Sequence, residues 1–186
     1  GGFSGGDEPD GSGKFITAFF RGAEVRDAVT DLLDRRGGLM CGICNGFQAL
    51  IKLGLLPDGH VSARDKSSPT LTFNNIARHV STIVNVRVAT DKSPWLAGFK
   101  PGDTFAVPVS HGEGKFVCSP EEFEKLAANG QIATQYVDND SAVTMRSPFN
   151  PNGSFMAVEG IVSPDGRVLG KMGHTERWQK GLYQNV

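Results

Sequence analysis

The sequence predicts an α/β fold in which a mixed sheet packs against helices. Three observations carry this. Apolar residues recur at helical spacing over 14–36 and are followed by a glycine stop and a short apolar run. Apolar and polar residues alternate from Val80 to Val88, and the second half then strings short strands together through turn residues. At 186 residues the chain suggests one domain, long enough to bury a core without disulfide staples.

Taken in order, residues 1–13, GGFSGGDEPDGSG, have no helix or strand period and read as a loop whose backbone approaches a neighbour closely. They are not a phosphate cradle: ahead of Gly13-Lys14 the required glycine is replaced by Glu8, and Phe15 stands where Ser or Thr belongs. Over 14–36, Val25, Ala28, Val29, Leu32 and Leu33 predict one amphipathic helix, stopped by Gly37-Gly38. Residues 39–43 read as a strand. Phe47, Ala49, Leu50 and Leu53, closed by Gly54 and Pro57, read as a helix, so Cys44 falls on the turn between them. Val80, Thr82, Val84, Val86 and Val88 mark a half-buried strand. Residues 105–109 mark another, ending in Ser110-His111-Gly112-Glu113-Gly114. Ser119-Pro120-Glu121-Glu122 supplies an N-cap, a proline at the first helical position and a capping-box glutamate for a helix that stops at Gly130. Residues 132–137 form a further strand, and Ser163-Pro164-Asp165-Gly166 turns a hairpin between 160–162 and 167–169.

Composition narrows the partners. Nineteen Lys+Arg face 20 Asp+Glu with no basic run, which argues against nucleic acid and against an anionic membrane. Three cysteines are too few and too odd for a disulfide framework and fit a reducing, cytoplasmic setting. No apolar run approaches the roughly 18 residues of a membrane span, and the start lacks a signal-peptide profile. The chain opens on a glycine loop without a Met, so it reads as a fragment that begins inside a domain.

The stretch LMCGICNGFQAL at 39–50 holds Cys41 and Cys44 in CxxC spacing. A structural zinc site needs four ligands, and no second CxxC or HxxxH occurs, so no metal is expected. A zinc deaminase needs the opposite motif order and a proline. A redox pair sits with both cysteines near the helix start, whereas Cys41 lies back in the strand and reads as a small buried hydrophobe. Cys44 stands on the strand-to-helix turn with Gly42 and Gly46 on either side, the cysteine counterpart of a G-x-S-x-G elbow. That placement predicts a thiol presented to solvent, with its pKa lowered by the helix N-terminus. Its bland alternative is a second core cysteine.

A thiol nucleophile needs a base and a group that orients the base. His111-Gly112-Glu113 and His174-Thr175-Glu176 both offer the pair on one side of an extended segment, and composition does not choose between them. His60 and His79 read as structural or solvated. Backbone N–H groups at Gly2-Phe3 and at Asn45, the residue after the nucleophile, can form an oxyanion hole.

GICNGFQ (42–48), GGFSGGD (1–7), VSHGEG (109–114) and GHTER (173–177) together resemble the class I, or triad-type, glutamine amidotransferase domains, most closely the glutaminase portions of phosphoribosylformylglycinamidine synthases. The resemblance implies a flavodoxin-like, mostly parallel mixed sheet flanked by helices, spanning residues 1–186 as a C-terminal piece of a larger synthase. It implies that Cys44 attacks the side-chain amide of L-glutamine, that His174 is base and acid, and that Glu176 orients it. Gln48 would hold substrate, Gly2-Phe3 would be the oxyanion strand, and the Ser110-His111-Gly112 backbone would grip the α-amino and carboxylate groups. Family domains have further strands and helices before the GGFS loop, which are absent here and would leave strand edges uncovered. The implied partner is a synthetase domain, on the same or another chain, which would bring the ATP and magnesium; the glutaminase domain itself uses no cofactor. Beside this stand another triad-type glutaminase subunit, a peptidase-like relative, and a noncatalytic assembly module. Gln48 and the SHGEG segment suit a free amino acid rather than a peptide. The intact Cys44, His174 and Glu176 set argues against the module.

Overall fold

Gly22 divides what the apolar spacing treats as one helix. In the computed structural model, which describes residues 13–177 and 179–180, α1 (Lys14–Phe20) ends at Arg21 and α2 (Ala23–Thr30) starts afresh. Gly22 leaves the helical region between them at φ −57° and ψ 136°, as expected where glycine weakens a helix interior. A π-helical turn, Asp31–Arg35, completes the segment. The single helix expected over 14–36 is corrected in this way; of its predicted apolar positions Val29 and Leu33 are buried, Val25 and Leu32 partly buried and Ala28 exposed.

The predicted strand, turn and helix follow as β1 (Met40–Ile43), Cys44 and α3 (Asn45–Leu53). Phe47, Leu50 and Leu53 of α3 share one buried cluster with Ile161, Val168 and Met172. Each such side chain contributes about 1.5–3 kcal/mol by leaving water, which ties the helix that carries the turn to the middle of the sheet. A short turn, α4 (Leu55–Asp58), adds Leu55 and Leu56 to the same cluster.

The remaining long strands are β3 (Val80–Val88), β4 (Thr104–His111), β6 (Ile132–Val137), β7 (Val158–Val162) and β8 (Val168–Lys171), in the order β1-β8-β7-β6-β3-β4. The 163–166 turn makes the expected hairpin, with Val162 opposite Leu169. The α/β class and the mixed sheet stand. The mostly parallel part of that expectation is corrected for the described strands: β1 and β8 run parallel, and the other neighbours in this sheet are antiparallel. Parallel neighbours need a crossover element. The links β3 to β4 and β6 to β7 instead hold only the 3₁₀ turns Pro94–Leu96 and Phe155–Ala157. Beside the sheet, β2 (Thr70–Thr72) and β5 (Lys115–Val117) form a two-stranded antiparallel ribbon. Helix α5 (Pro120–Ala128) carries the predicted cap, the Ser119 hydroxyl accepting from the Glu122 N–H at 3.1 Å. Among the described residues no helix is long and apolar enough to cross a membrane.

Strands β1 and β4 lie at opposite ends of the sheet order. Yet the Cys44 thiol, just past β1, contacts the Ser110 carbonyl of β4 at 3.7 Å. The His174 N–H, just past β8, donates to the Pro108 carbonyl of β4 at 2.8 Å. The sheet is therefore curled until its ends meet, and Cys44, Ser110 and His174 gather at that junction.

Candidate active site

Cys44 has φ 54° and ψ −108°, a left-handed backbone that costs a non-glycine residue on the order of 1–3 kcal/mol. The turn is held from both sides: the Cys44 N–H donates to the Lys171 carbonyl at 2.8 Å, and the Cys44 carbonyl accepts from the Gln48 N–H at 3.1 Å. Its tightness explains a flanking glycine. A Cβ on Gly42 would lie 2.6 Å from the Gly46 carbonyl carbon and oxygen and from Leu50 Cδ1.

Two expectations for the thiol are corrected. Cys44 is buried, at 3 % exposure, rather than presented to solvent. Burial raises its pKa above the ordinary thiol value of 9.0, outweighing the Asn45 N–H at the sulfur and the charge of Arg177, which act the other way. The resting Cys44 side chain is thus a neutral thiol that donates to the Ser110 carbonyl.

His174 is 1 % exposed, and its Nδ1 lies 2.5 Å from Glu176 Oε1. A carboxylate only accepts, so Nδ1 carries a proton, and in the neutral imidazole Nε2 keeps its lone pair. That Nε2 is buried with no hydrogen-bond partner among the described residues. Glu176 is half-exposed; burial pushes its carboxyl up, but the His174 and backbone hydrogen bonds and the charge of Arg177 outweigh this and the net direction is down.

The other HxE motif is built differently. His111 Nδ1 meets Asn74 Oδ1 at 3.2 Å, not Glu113. Burial above all drives its pKa down to about 4, outweighing a backbone hydrogen bond that acts the other way. Asn74 pins the whole 110–114 turn: its Nδ2 donates to the His111 carbonyl at 2.8 Å, its Oδ1 accepts from the Gly114 N–H at 3.2 Å, and its N–H donates to the Gly112 carbonyl at 2.9 Å. From the other side Asn152 Nδ2 donates to the Gly114 carbonyl at 2.7 Å and to the Tyr136 hydroxyl at 3.1 Å. Gln48 is buried, and its amide N donates to the Glu113 carbonyl. Asn74 and Asn152 are the site residues that sequence reasoning missed. For Asn152 the N-P-N-G-S run at 150–154 was the available signal, but turn-forming residues of that kind give no periodicity that marks them as buried.

The structure thus brings together Cys44, Asn45, Gln48, Ser110, His111, Gly112, His174 and Glu176, while Gly2 and Phe3 lie outside the described residues. His79 bonds the Ser110 hydroxyl at 3.0 Å, and His60 Nδ1 bonds the Asp58 carbonyl at 3.2 Å. Cys41 is corrected: it is exposed and lines an open cavity of about 1050 Å³ with Phe105, Leu169 and Lys171. Strand alternation turns Cys41 and Ile43 to that face, while Gly42 meets α3. Among the described residues no group of three or more His, Cys, Asp or Glu side chains converges as a metal site would require.

The whole chain, residues 1–186, matches the profile of the CobB/CobQ-like glutamine amidotransferase domains. It is 37% identical over 142 residues to "Phosphoribosylformylglycinamidine synthase subunit PurQ" of a Synechococcus species, a match covering 76% of this chain and 54% of the relative. Against the protein of the same name from Moorella thermoacetica it is 35% identical over 165 residues, covering 89% and 64%. The solved "Structure of PurLQS from Thermotoga maritima" superposes with a TM-score of 0.68 at 26% identity, covering 95% of this chain and 66% of that one. The chain therefore spans between about half and two thirds of the length of these relatives.

Proposed function

We propose, from the premise that the chain belongs to the CobB/CobQ-like glutamine amidotransferase domain family, that it hydrolyses L-glutamine to glutamate and ammonia at Cys44. The ammonia would serve a synthetase portion, on the same or a partner chain, that converts formylglycinamide ribonucleotide to formylglycinamidine ribonucleotide in purine biosynthesis. The names of the relatives, phosphoribosylformylglycinamidine synthase subunits, support that assignment. ATP and magnesium enter with the synthetase portion, and the glutaminase half-reaction requires neither.

The observation that carries the reading is the contact of His174 Nδ1 with Glu176, which leaves Nε2 buried and unpartnered among the described residues. With Nδ1–H committed to Glu176, the buried Nε2 lone pair is the acceptor for a thiol proton. The proton passes from Cys44 Sγ to Nε2 as sulfur attacks the amide carbon of glutamine. The oxyanion formed is stabilised by backbone N–H groups, Asn45 among them. Collapse breaks the C–N bond, His174 returns its proton to the leaving nitrogen, and ammonia departs. A γ-glutamyl thioester remains on Cys44. His174 then takes a proton from water as its oxygen attacks, and glutamate leaves with the thiol restored. Gln48 and the 110–114 turn act as one substrate-binding wall, because Gln48 is fastened to that turn at Glu113.

A glutamine-shaped diazo-ketone, followed by peptide mapping in the complete enzyme, tests the nucleophile. The expected product is modified Cys44; label on Cys41 or Cys118 with Cys44 intact would sink the assignment. His174→Asn should abolish glutamine-dependent synthesis and spare ammonia-dependent synthesis. If His111→Asn does this and His174→Asn does not, the base is misassigned.

A further inference from the structure

The hydrolysis scheme leaves one buried charged cluster without a role. Glu159 on β7 has no exposed surface, and the Lys171 side chain at the end of β8 is 6 % exposed. Glu159 Oε2 accepts from the Thr134 hydroxyl. Its Oε1 accepts from the Gly173 N–H at 2.5 Å and lies 3.9 Å from Lys171 Nζ, which in turn sits 5.1 Å from the centroid of the Phe105 ring. Taking such a pair out of water costs several kcal/mol per ion, and apolar residues of similar volume are often as stable. Stability is therefore a poor account of the pair.

What the carboxylate holds is more informative. Residues 171–174 connect the two reacting groups: the Lys171 carbonyl anchors the Cys44 N–H at 2.8 Å, and His174 follows two residues after Met172, whose N–H donates to the Glu159 carbonyl at 3.2 Å. Between them Gly173 is clasped by Glu159. A Cβ on Gly173 would lie 2.9 Å from Glu159 Oε1 and 2.7 Å from the Val107 methyls, so the turn has no slack on that side.

We infer that Glu159 is a positioning residue for glutamine hydrolysis: by holding the Gly173 N–H it sets the 171–174 turn that spaces His174 from Cys44, and Lys171 balances the buried charge this requires. The inference rests on reading Cys44 and His174 as thiol and base. It predicts that the acceptor at position 159 matters to catalysis even when the buried charge pair is removed.

Two double variants separate this from a packing role, because in both the lysine is gone and no buried charge is left unpaired. Glu159→Gln with Lys171→Met keeps a carbonyl acceptor for the Gly173 N–H; Glu159→Ala with Lys171→Met has none. Glutamate release is assayed with the synthetase portion present, and the His174 imidazole ¹⁵N signals are recorded on the chain. The Ala variant should lose roughly 10- to 100-fold in kcat with KM changed by less than about threefold and should show displaced His174 signals. The Gln variant should stay near wild type in both. Equal behaviour of the two variants overturns the inference. Should the Ala variant fail to fold, hydrogen exchange at the wild-type Gly173 amide decides: strong protection supports the clasp and rapid exchange refutes it. A wild-type enzyme that releases no glutamate would defeat the glutaminase reading, while the imidazole comparison would still decide the role of Glu159.

Discussion

On the proposed reading, the neutral Cys44 thiol and the buried Nε2 of His174, unpartnered among the described residues, make a site that generates its nucleophile only on demand. Burial holds the thiol above its ordinary pKa of 9.0, so little thiolate exists before substrate arrives. Alkylation of Cys44 by iodoacetamide, followed by peptide mapping across pH, should therefore keep rising beyond pH 9; a plateau near neutrality would reveal a preformed thiolate. Exposed Cys41 should react first, whereas a glutamine-shaped electrophile should reverse the order. In the proposed mechanism Glu176 acts one step further back. Because its side chain is 46 % exposed, water takes over part of its task when it is altered. Glu176→Gln should lower kcat by about 10- to 100-fold and leave KM nearly unchanged, less than removal of a fully buried orienting carboxylate would cost. A larger rise in KM than fall in kcat would place Glu176 in substrate binding instead.

At the level of elements, the strand, turn and helix around Cys44 were legible because each has its own local signal: an apolar run, two glycines and helical spacing from Phe47 to Leu53. The cap of α5 and the 163–166 hairpin were legible for the same reason. The β2–β5 ribbon was not, since three-residue strands are too short to show a period, and the break at Gly22 went unseen because the apolar positions that marked the helix, Val25 to Leu33, all lie after it. The buried asparagines were hidden more deeply. Asn74 joins five backbone groups, those of His111, Gly112 and Gly114 in the turn and of Ala77 and Arg78 beside itself, the Arg78 carbonyl at 3.0 Å, and its partners in the turn are set by tertiary contact rather than by sequence distance. Asn74→Ala removes an acceptor and two donors from a buried site and should cost about 2 kcal/mol or more. Because the turn forms part of the proposed substrate wall, KM for glutamine should rise more than kcat falls. Steady-state kinetics beside urea unfolding would check both, and an unchanged KM would detach the turn from substrate binding.

For the molecule as a whole, α/β class and a mixed sheet could be read from periodicity, but the curl that joins the two sheet ends could not, because it depends on contacts such as Cys44 with Ser110. The same junction buries His111, and that burial couples global stability to acid. An exposed histidine titrates near 6.5, whereas His111 is held down to about 4. As pH falls below 6.5 the unfolded chain takes up a proton that the folded protein refuses, so stability declines until about pH 4, where the folded state also protonates. At about 1.4 kcal/mol per pH unit, the window is worth roughly 3 kcal/mol. The carboxylates whose pKa values are lowered, Asp65, Glu121, Asp165 and Glu176, contribute in a lower window: their stabilisation is complete above the ordinary values of 3.8 for Asp and 4.5 for Glu and is lost as pH falls through the folded values. Urea unfolding from pH 7.5 to pH 4 should therefore show a slope already present above pH 5, too early for carboxylates. His111→Gln should lower stability at pH 7.5 but flatten that upper part of the curve while leaving the acid limb. If the variant keeps the wild-type slope between pH 6.5 and 5, the proton is taken up elsewhere and His111 is not the group that couples the junction to pH.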